Sequence, residues 1–360
     1  MNKKENFENN VELFDIKSEF FDVEILRTEN DNYCEVETDD NKNFEYDAEI
    51  KDGVFKFRVE KTVSNFFGVF KYAPILRIYI NYKPKEFDIS SASGNIAMEG
   101  TEAENIRIRS MSGDSYIKGV NSHTVEIDNK SGDIEIRKCG FEEAYLKSLS
   151  GDINIDSSNI KKAEALSKSG DVDFYGAYTG TNYSIASSSG DINISEFDIE
   201  SVDVDSSSGD IDISYIKSDI FKIKTLSGDL KIEKCEGEYA VLKTVSGDID
   251  ISEALTEKIK IKTTSGDIYS DELKVPENGD IESVSGDIEI NYIDFGNCDV
   301  KTSSGDISLV IKKEQYEISA QSSSGSIRVD GKNYEKNYEN RIKSEDRIII
   351  KTSSGDISVN

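Results

Sequence analysis

The side chains best placed to do chemistry in this chain are aspartates, because they recur at a fixed spacing. Aspartate follows glycine at Asp114, Asp133, Asp152, Asp171, Asp191, Asp210, Asp229, Asp248, Asp267, Asp287, Asp306 and Asp356, with Asn95 and Ser326 in the same place in two further repeats. The preceding glycines step by 19 or 20 residues until a last step of 30. Carboxylates in such a file could hold a row of Ca²⁺ ions, and Asp191, Asp210, Asp229, Asp248 and Asp267 are the candidate ligands. Calcium takes six to eight oxygens, however, and the motif is not the glycine-rich nine-residue repeat of calcium-binding β-rolls. Aspartate in a turn more often accepts hydrogen bonds from backbone amides. Stacked in register, the carboxylates would lie about 5 Å apart and repel by roughly 0.8 kcal/mol per neighbour even in water. Amide bonds and nearby lysines must offset that. The expectation is a structural column with no cofactor, and Ca²⁺ binding is the alternative.

Other reactive groups are sparse. The single histidine, His123, lies near an expected corner and reads as a surface residue. No nucleophile elbow, phosphate loop or zinc spacing stands out. Cys139 and Cys235 each follow a motif glycine by seven residues and Cys298 falls in another inward column, so the cysteines are expected to be small buried hydrophobes. The acids are spread over every repeat rather than gathered in a groove, which argues for a non-enzyme. A polysaccharide lyase or hydrolase ranks third, because a formal charge of -28 would repel substrates such as pectate. The same charge argues against nucleic acid and anionic membrane surfaces. In "NFFGVFKYAP", Phe66, Phe67, Phe70 and Tyr72 could form an exposed aromatic tip for a partner, against the plainer reading of burial over one end of the fold.

The elements that position these residues follow from the period. A fixed 19–20-residue repeat means stacked units. The second and fourth residues after each glycine are apolar, as in Ile211 and Ile213 or Ile249 and Ile251, and so are the fifth and seventh before it, as in Ile223 and Phe221. Alternation with period two makes these strands with one buried face. The same parity carries two hydroxyl columns inward: Ser or Thr three residues before the glycine, such as Ser206, Thr225 and Thr244, and serine one before it, such as Ser208, Ser227 and Ser246. The glycine allows positive φ or close backbone approach. Outward positions mix signs, with Lys224, Lys243 and Lys262 beside Asp205 and Glu282, and read as a solvated face.

The expected architecture is all-β: a single-stranded parallel β-solenoid (β-helix), right-handed because the six-residue period of the common left-handed kind is absent. Each turn has two main strands and two or three corners. Residues 1–86 lack the motif but alternate, with Asp52-Gly53 as a hairpin turn, and read as an N-terminal β cap. Residues 87–360 are the solenoid, with a polar loop or hairpin near 330–346. The final "SSGDISVN" is expected to be an open edge, covered by that loop, by a second copy end to end, or by a partner.

The recurring Ser-Gly-Asp-Ile rungs, the lead-in "NFFGVFKYAPILRIYIN" and the tail "GKNYEKNYENRIKSEDRIIIKTSSGDISVN" together resemble the bacterial putative-adhesin family of β-strand-repeat proteins, a domain of unknown function. The resemblance covers nearly the whole chain. It implies a right-handed β-solenoid without an established activity or catalytic residues, among relatives some of which look membrane-anchored and linked to envelope stress. The expected function is a non-enzymatic structural or protein-interaction scaffold, adhesin-like and envelope-associated through a protein partner. A Ca²⁺- or carbohydrate-binding solenoid is the alternative. With no signal peptide and no stretch long enough to span a bilayer, the expected location is the cytoplasm, with surface or envelope association as the alternative.

Overall fold

A computed structural model describes residues 2–38, 44–61, 73–340 and 342–360. The chain divides into two compact units, Met1–Gly180 and Thr181–Asn360. Both are built from parallel strands stacked in register, with no helix among the described residues.

In the second unit a single rung shows how the sequence turns. Within Ile211–Thr225 the buried residues are Ile211 and Ile213, then Ile216 and Ser218, then Phe221, Ile223 and Thr225. Ser214 and Tyr215 both point outward, and so do Asp219 and Ile220. Two consecutive outward residues break the period of two, so each break bends the chain while its hydrogen-bond ladder continues. With the Ser-Gly-Asp corner this gives three faces per rung. The face through Phe197, Ile216, Cys235, Ala254, Leu273 and Ile293, all buried, was not resolved in the sequence.

The first unit closes its rungs differently. Gly100, Gly119, Lys138, Ser157 and Gly176 recur every 19 residues with φ of 65, 61, 52, 48 and 103°. Left-handed backbone follows the short strands Ile96–Glu99, Ser115–Lys118, Ile134–Arg137 and Ile153–Asp156, while at Gly176 the strand Val172–Ser187 continues through it; the glycines carry no strain and Lys138 and Ser157 a modest cost.

The motif glycine itself serves close approach rather than positive φ. A Cβ built on Gly113, Gly132, Gly151 or Gly170 would lie 2.1–2.2 Å from the carbonyl oxygen of the preceding motif glycine, and from Gly209 through Gly355 in the second unit it would lie 1.8–2.1 Å from that of the motif glycine on the neighbouring rung, which for Gly325 is Gly355 and for Gly355 is Gly305. No side chain fits in that space. One residue before the glycine, the expectation of a second inward hydroxyl column is corrected: Ser208, Ser227 and Ser246 are exposed. The chain makes its corner with this serine and the residue before it both facing out, which reverses the parity.

Neither end stacks in sequence order. In the first unit Leu13–Lys17 and Asp22–Arg27 already form a rung, with Phe21 and Asp22 standing where Gly and Asp stand elsewhere. It pairs in parallel with Glu86–Ser91 and Ile96–Glu99 on one side and with Val54–Lys61 and Ile75–Ile80 on the other. Antiparallel strands then cover the outer edge, Phe44–Lys51 on Val54–Lys61 and Asn32–Glu37 on Ile75–Ile80. Asp52 and Gly53, both at positive φ, form the expected hairpin between Lys51 and Val54. Phenylalanines fill this end: Phe14 lies 4.9 Å from Phe87 and 5.6 Å from Phe55, ring centre to ring centre.

In the second unit the rung Arg347–Thr352 and Ile357–Val359, last in sequence, lies between two others. It pairs with Ile288–Lys301 and Ile307–Ile311 on one side and with Glu317–Ser322 and Ile327–Val329 on the other. The expectation that it forms an open edge is therefore corrected. The outermost rung is Glu317–Val329, and the polar segment after it folds back as two short antiparallel strands, Lys332–Tyr334 on Ile327–Val329 and Asn337–Glu339 on Glu317–Ser322.

If carbonyl-to-glycine contact sets the rung spacing, Gly247→Ala, which would place a Cβ 2.0 Å from the Gly228 oxygen, should cost about 3 kcal/mol or more in urea unfolding. Gly331→Ala, at a turn with φ of 75° and no atom within 4 Å of its Cβ, should cost only about 1 kcal/mol. Equal losses would mean that the motif glycines matter only for backbone freedom.

Candidate functional site

The repeated corner is where the motif residues meet. Three residues before the glycine, the buried hydroxyls bond the glycine N–H of their own turn, a carbonyl one rung away, or both. Thr225 Oγ1 accepts the Gly228 N–H at 3.1 Å and donates to the Gly209 carbonyl one rung back at 3.2 Å. Ser167 does the same with Gly170 and Gly151. Asn129, the exception in this column, has its own compensation. Its Nδ2 donates to the Asp133 carbonyl at 3.0 Å, and its Oδ1 accepts from Ser115 Oγ at 3.1 Å. Ser115 occupies a position that is isoleucine in most rungs, so the two exceptions are one paired substitution.

The aspartates also bond from rung to rung. Asp210 N–H donates to Asp191 Oδ1 at 2.9 Å, Asp229 to Asp210 and Asp248 to Asp229 at 2.8 Å, and Asp267 to Asp248 at 2.7 Å. In the first unit the file begins at Asp22, whose Oδ1 accepts the Asn95 N–H at 2.7 Å, and Asn95 Oδ1 then accepts from Asp114 at 2.9 Å. The acceptor role expected for these residues is thus directed at the next rung's amide rather than at the residue's own turn. A buried or turn amide needs an acceptor, and here the carboxylate oxygen supplies it. Burial pushes the Asp22 carboxyl upward, partly countered by the Asn95 amide. The Ser326 amide and hydroxyl hold Asp356 below the usual carboxylate range.

The candidate ligands Asp191, Asp210, Asp229, Asp248 and Asp267 therefore stand in one file, one per rung. Among the described residues no three His, Cys, Asp or Glu side chains converge as metal ligands would. Phe66, Phe67, Phe70 and Tyr72 lie outside the described residues. His123 is exposed. Cys34, Cys139, Cys235 and Cys298 are all buried, and none is joined in a disulfide. Burial pushes the Cys139 thiol up to about 11 and those of Cys235 and Cys298 to about 12. A groove of about 370 Å³ in the first unit is lined by Lys17, Glu19, Arg109, Asp128 and Lys130 together with Met111 and small residues. Arg109 there is tied to Asp88. Sequence reasoning also missed the exposed apolar side chains Ile220, Leu226 and Tyr239, whose signal was hydrophobic residues at outward parity.

These features define a repeat solenoid whose motif residues are spent on joining one rung to the next. A family model described as Toastrack DUF4097 matches the chain over residues 11–198 and again over 194–360. The chain belongs to the Toastrack family, a domain of unknown function, in agreement with the resemblance drawn from its motifs. Among solved structures it is similar to a putative adhesin of Bacteroides fragilis, at 15% identity and a TM-score of 0.39 over 64% of this chain and 95% of that one. It is also similar to a putative cell adhesion protein of Clostridium sporogenes, at 10% identity and a TM-score of 0.19 over 100% and 98% of the two chains. A putative lipid binding protein of Parabacteroides distasonis is similar at 13% identity and a TM-score of 0.24 over 99% and 96%. A search of curated proteins finds no match. No helix among the described residues is long and apolar enough to cross a membrane.

Asp229→Asn, which keeps an acceptor for the Asp248 amide and removes one charge from the file, should change stability by less than about 0.5 kcal/mol. Asp229→Ala should cost about 1 kcal/mol. Calorimetry with Ca²⁺ reads the alternative: saturable heat that both variants abolish would make the file a metal site. The thiols give a separate check. At pH 8 iodoacetamide should leave all four cysteines unlabelled in the native protein and label all four in guanidinium, whereas rapid native labelling would contradict their burial.

Proposed function

We propose that this chain is a non-enzymatic scaffold whose outward columns hold partner proteins, working in the cytoplasm or against the envelope. One observation carries the reading: the glycine, hydroxyl and aspartate of the motif all point their chemistry at the neighbouring rung. What differs from rung to rung is the outward side chain, and differences of that kind are what a partner can recognise. Many outward charges are matched by opposite charges about one rung away, as in Arg107 with Glu126 at 2.9 Å, Lys118 with Glu99 at 2.6 Å and Lys258 with Glu277 at 2.9 Å. Such exposed pairs contribute little stability each, so their substitution alters recognition at small cost to folding. Cysteines kept as buried thiols rather than disulfides suit a reducing compartment.

The test is to alter the three outward faces of the second unit one at a time and crosslink in living cells before lysis. One face carries Asp212, Lys231 and Asp250, the next Lys217, Glu236 and Lys274, and the third Lys222, Val241 and Lys260. The expected result is a recurrent crosslinked protein lost on altering one face and kept on altering the others. If every face could be altered without effect, or if a glycan panel gave saturable binding in the absence of protein partners, the scaffold reading would fall. Protease digestion of tagged protein on intact cells would instead place it at the surface and return adhesion to the front.

A further inference from the structure

One face of the second unit departs from the acid-rich surface around it. Pairing sets Lys222 beside Val241 beside Lys260, and Lys224 beside Lys243 beside Lys262. One rung earlier the same columns hold Asp203 and Asp205, and one rung later Asp280 and Glu282. The ion pairs lie at these borders: Lys224 with Asp203 at 3.3 Å, Lys260 with Asp280 at 3.3 Å, and Lys262 with Asp280 and Glu282. Among the described residues Lys243, on the middle rung, forms no ion pair, and neither does Lys222, although it stands in register with Asp203. Lysines in file at ~4.8 Å repel by roughly 0.9 kcal/mol per neighbour even in water. Stacking does not require lysine at an outward position, so the fold alone gives no reason for this arrangement.

Apolar side chains flank the lysines along the strands. Ile220 and Tyr239, paired in register, are 42% and 36% exposed, and Leu226 on the other side is 56% exposed with Val245 on the next rung. At alternate positions one rung reads Ile220, Lys222, Lys224, Leu226 and the next Tyr239, Val241, Lys243, Val245. Acids border both edges, Asp219, Glu238 and Glu257 on one and Asp229, Asp248 and Asp267 on the other.

We propose that this face binds an extended acidic segment of a partner protein, laid along the strands. Two acidic side chains sit over the lysine columns, and an apolar side chain on each flank sits over Ile220 and Tyr239 or over Leu226 and Val245. Alternate side chains of an extended segment are ~6.6 Å apart, the spacing of the outward residues beneath it, whereas a helix repeats every ~5.4 Å and would drift out of step. Three rungs by seven residues is about 10 by 20 Å, a few hundred Å² and well short of the ~800 Å² per side of a domain interface, so the occupant is a short segment. The bordering acid columns disfavour an anionic membrane, which would meet them at the same time as the lysines.

This inference rests on the scaffold reading and names one face for it. The probe is a fluorescein-labelled seven-residue peptide of alternating leucine, glutamate, glutamate and leucine with serine between them, read by anisotropy against the full chain. Saturable binding is expected, weakened at least tenfold by Lys222→Glu with Lys243→Glu, about 1.4 kcal/mol. It should also weaken several-fold when the glutamates and leucines exchange places, and remain unchanged in Lys147→Glu, a lysine of the other unit. Unfolding in urea verifies that the double variant still folds. No saturable binding, equal binding of the exchanged peptide, equal binding by the double variant, or tighter binding to vesicles of anionic lipid than to the peptide would each overturn the proposal. If the peptide fails while in-cell crosslinks still depend on another face, only this face is excluded and the scaffold stands.

Discussion

The contact on which everything else depends is a backbone carbonyl resting where a side chain would begin. At the Ser-Gly-Asp corners from Gly113 to Gly170 and from Gly209 to Gly355 the glycine Cα faces the carbonyl oxygen of the glycine one rung away, at a distance that leaves no room for a Cβ. That contact lets the corner close at the same spacing as the strands, so the parallel ladder passes around the bend without a gap, as in Met111 N–H to the Ser91 carbonyl and Leu226 N–H to the Ser206 carbonyl. The hydroxyl three residues back and the aspartate one residue on then satisfy the polar groups that the corner exposes. Glycine, hydroxyl and acid form one device, and repeating it keeps every inward isoleucine on the one beneath.

That device was readable in the sequence because it repeats in residue type as well as in position. The strands on either side, the buried hydroxyl column and the hairpin at Asp52-Gly53 follow from period and parity alone. The third face does not, because Phe197, Ile216, Cys235, Ala254 and Leu273 share burial but no chemistry, and the two-outward-residue bends that delimit it carry no fixed residue. The serine before the glycine was misassigned for a related reason. Extending strict alternation through a corner assumes that the chain stays straight there. The left-handed corners of the first unit were half visible, as Gly100, Gly119 and Gly176, but Lys138 and Ser157 adopt the same backbone without announcing it.

For the candidate site the balance is similar. An acceptor role for the aspartates could be argued from turn chemistry, and Asn95 within the file shows why the charge is dispensable: its amide oxygen accepts the Asp114 N–H as a carboxylate would. That the donor belongs to the neighbouring rung could not be read from one turn in isolation. The lysine column was legible as Lys224, Lys243 and Lys262 at the 19-residue period, but the mixed signs of the column as a whole made it read as a solvated face, and the pairing adds Lys222 and Lys260 and the exposed apolar flanks beside it.

The order of stacking at the two ends sets the order in which the chain can assemble. The rung Leu13–Arg27 precedes both of its neighbours in sequence and offers each an edge on which Val54–Ile80 and Glu86–Glu99 can pair. At the other end the relation is reversed. Glu317–Val329 leaves the ribosome before the rung that separates it from Ile288–Ile311, and its own Ser-Ser-Gly corner matches the vacant edge. Correct stacking therefore needs that edge to stay open until Arg347–Val359 is available to pair with it. The final order requires Arg347–Val359 to enter between two rungs that both precede it in sequence.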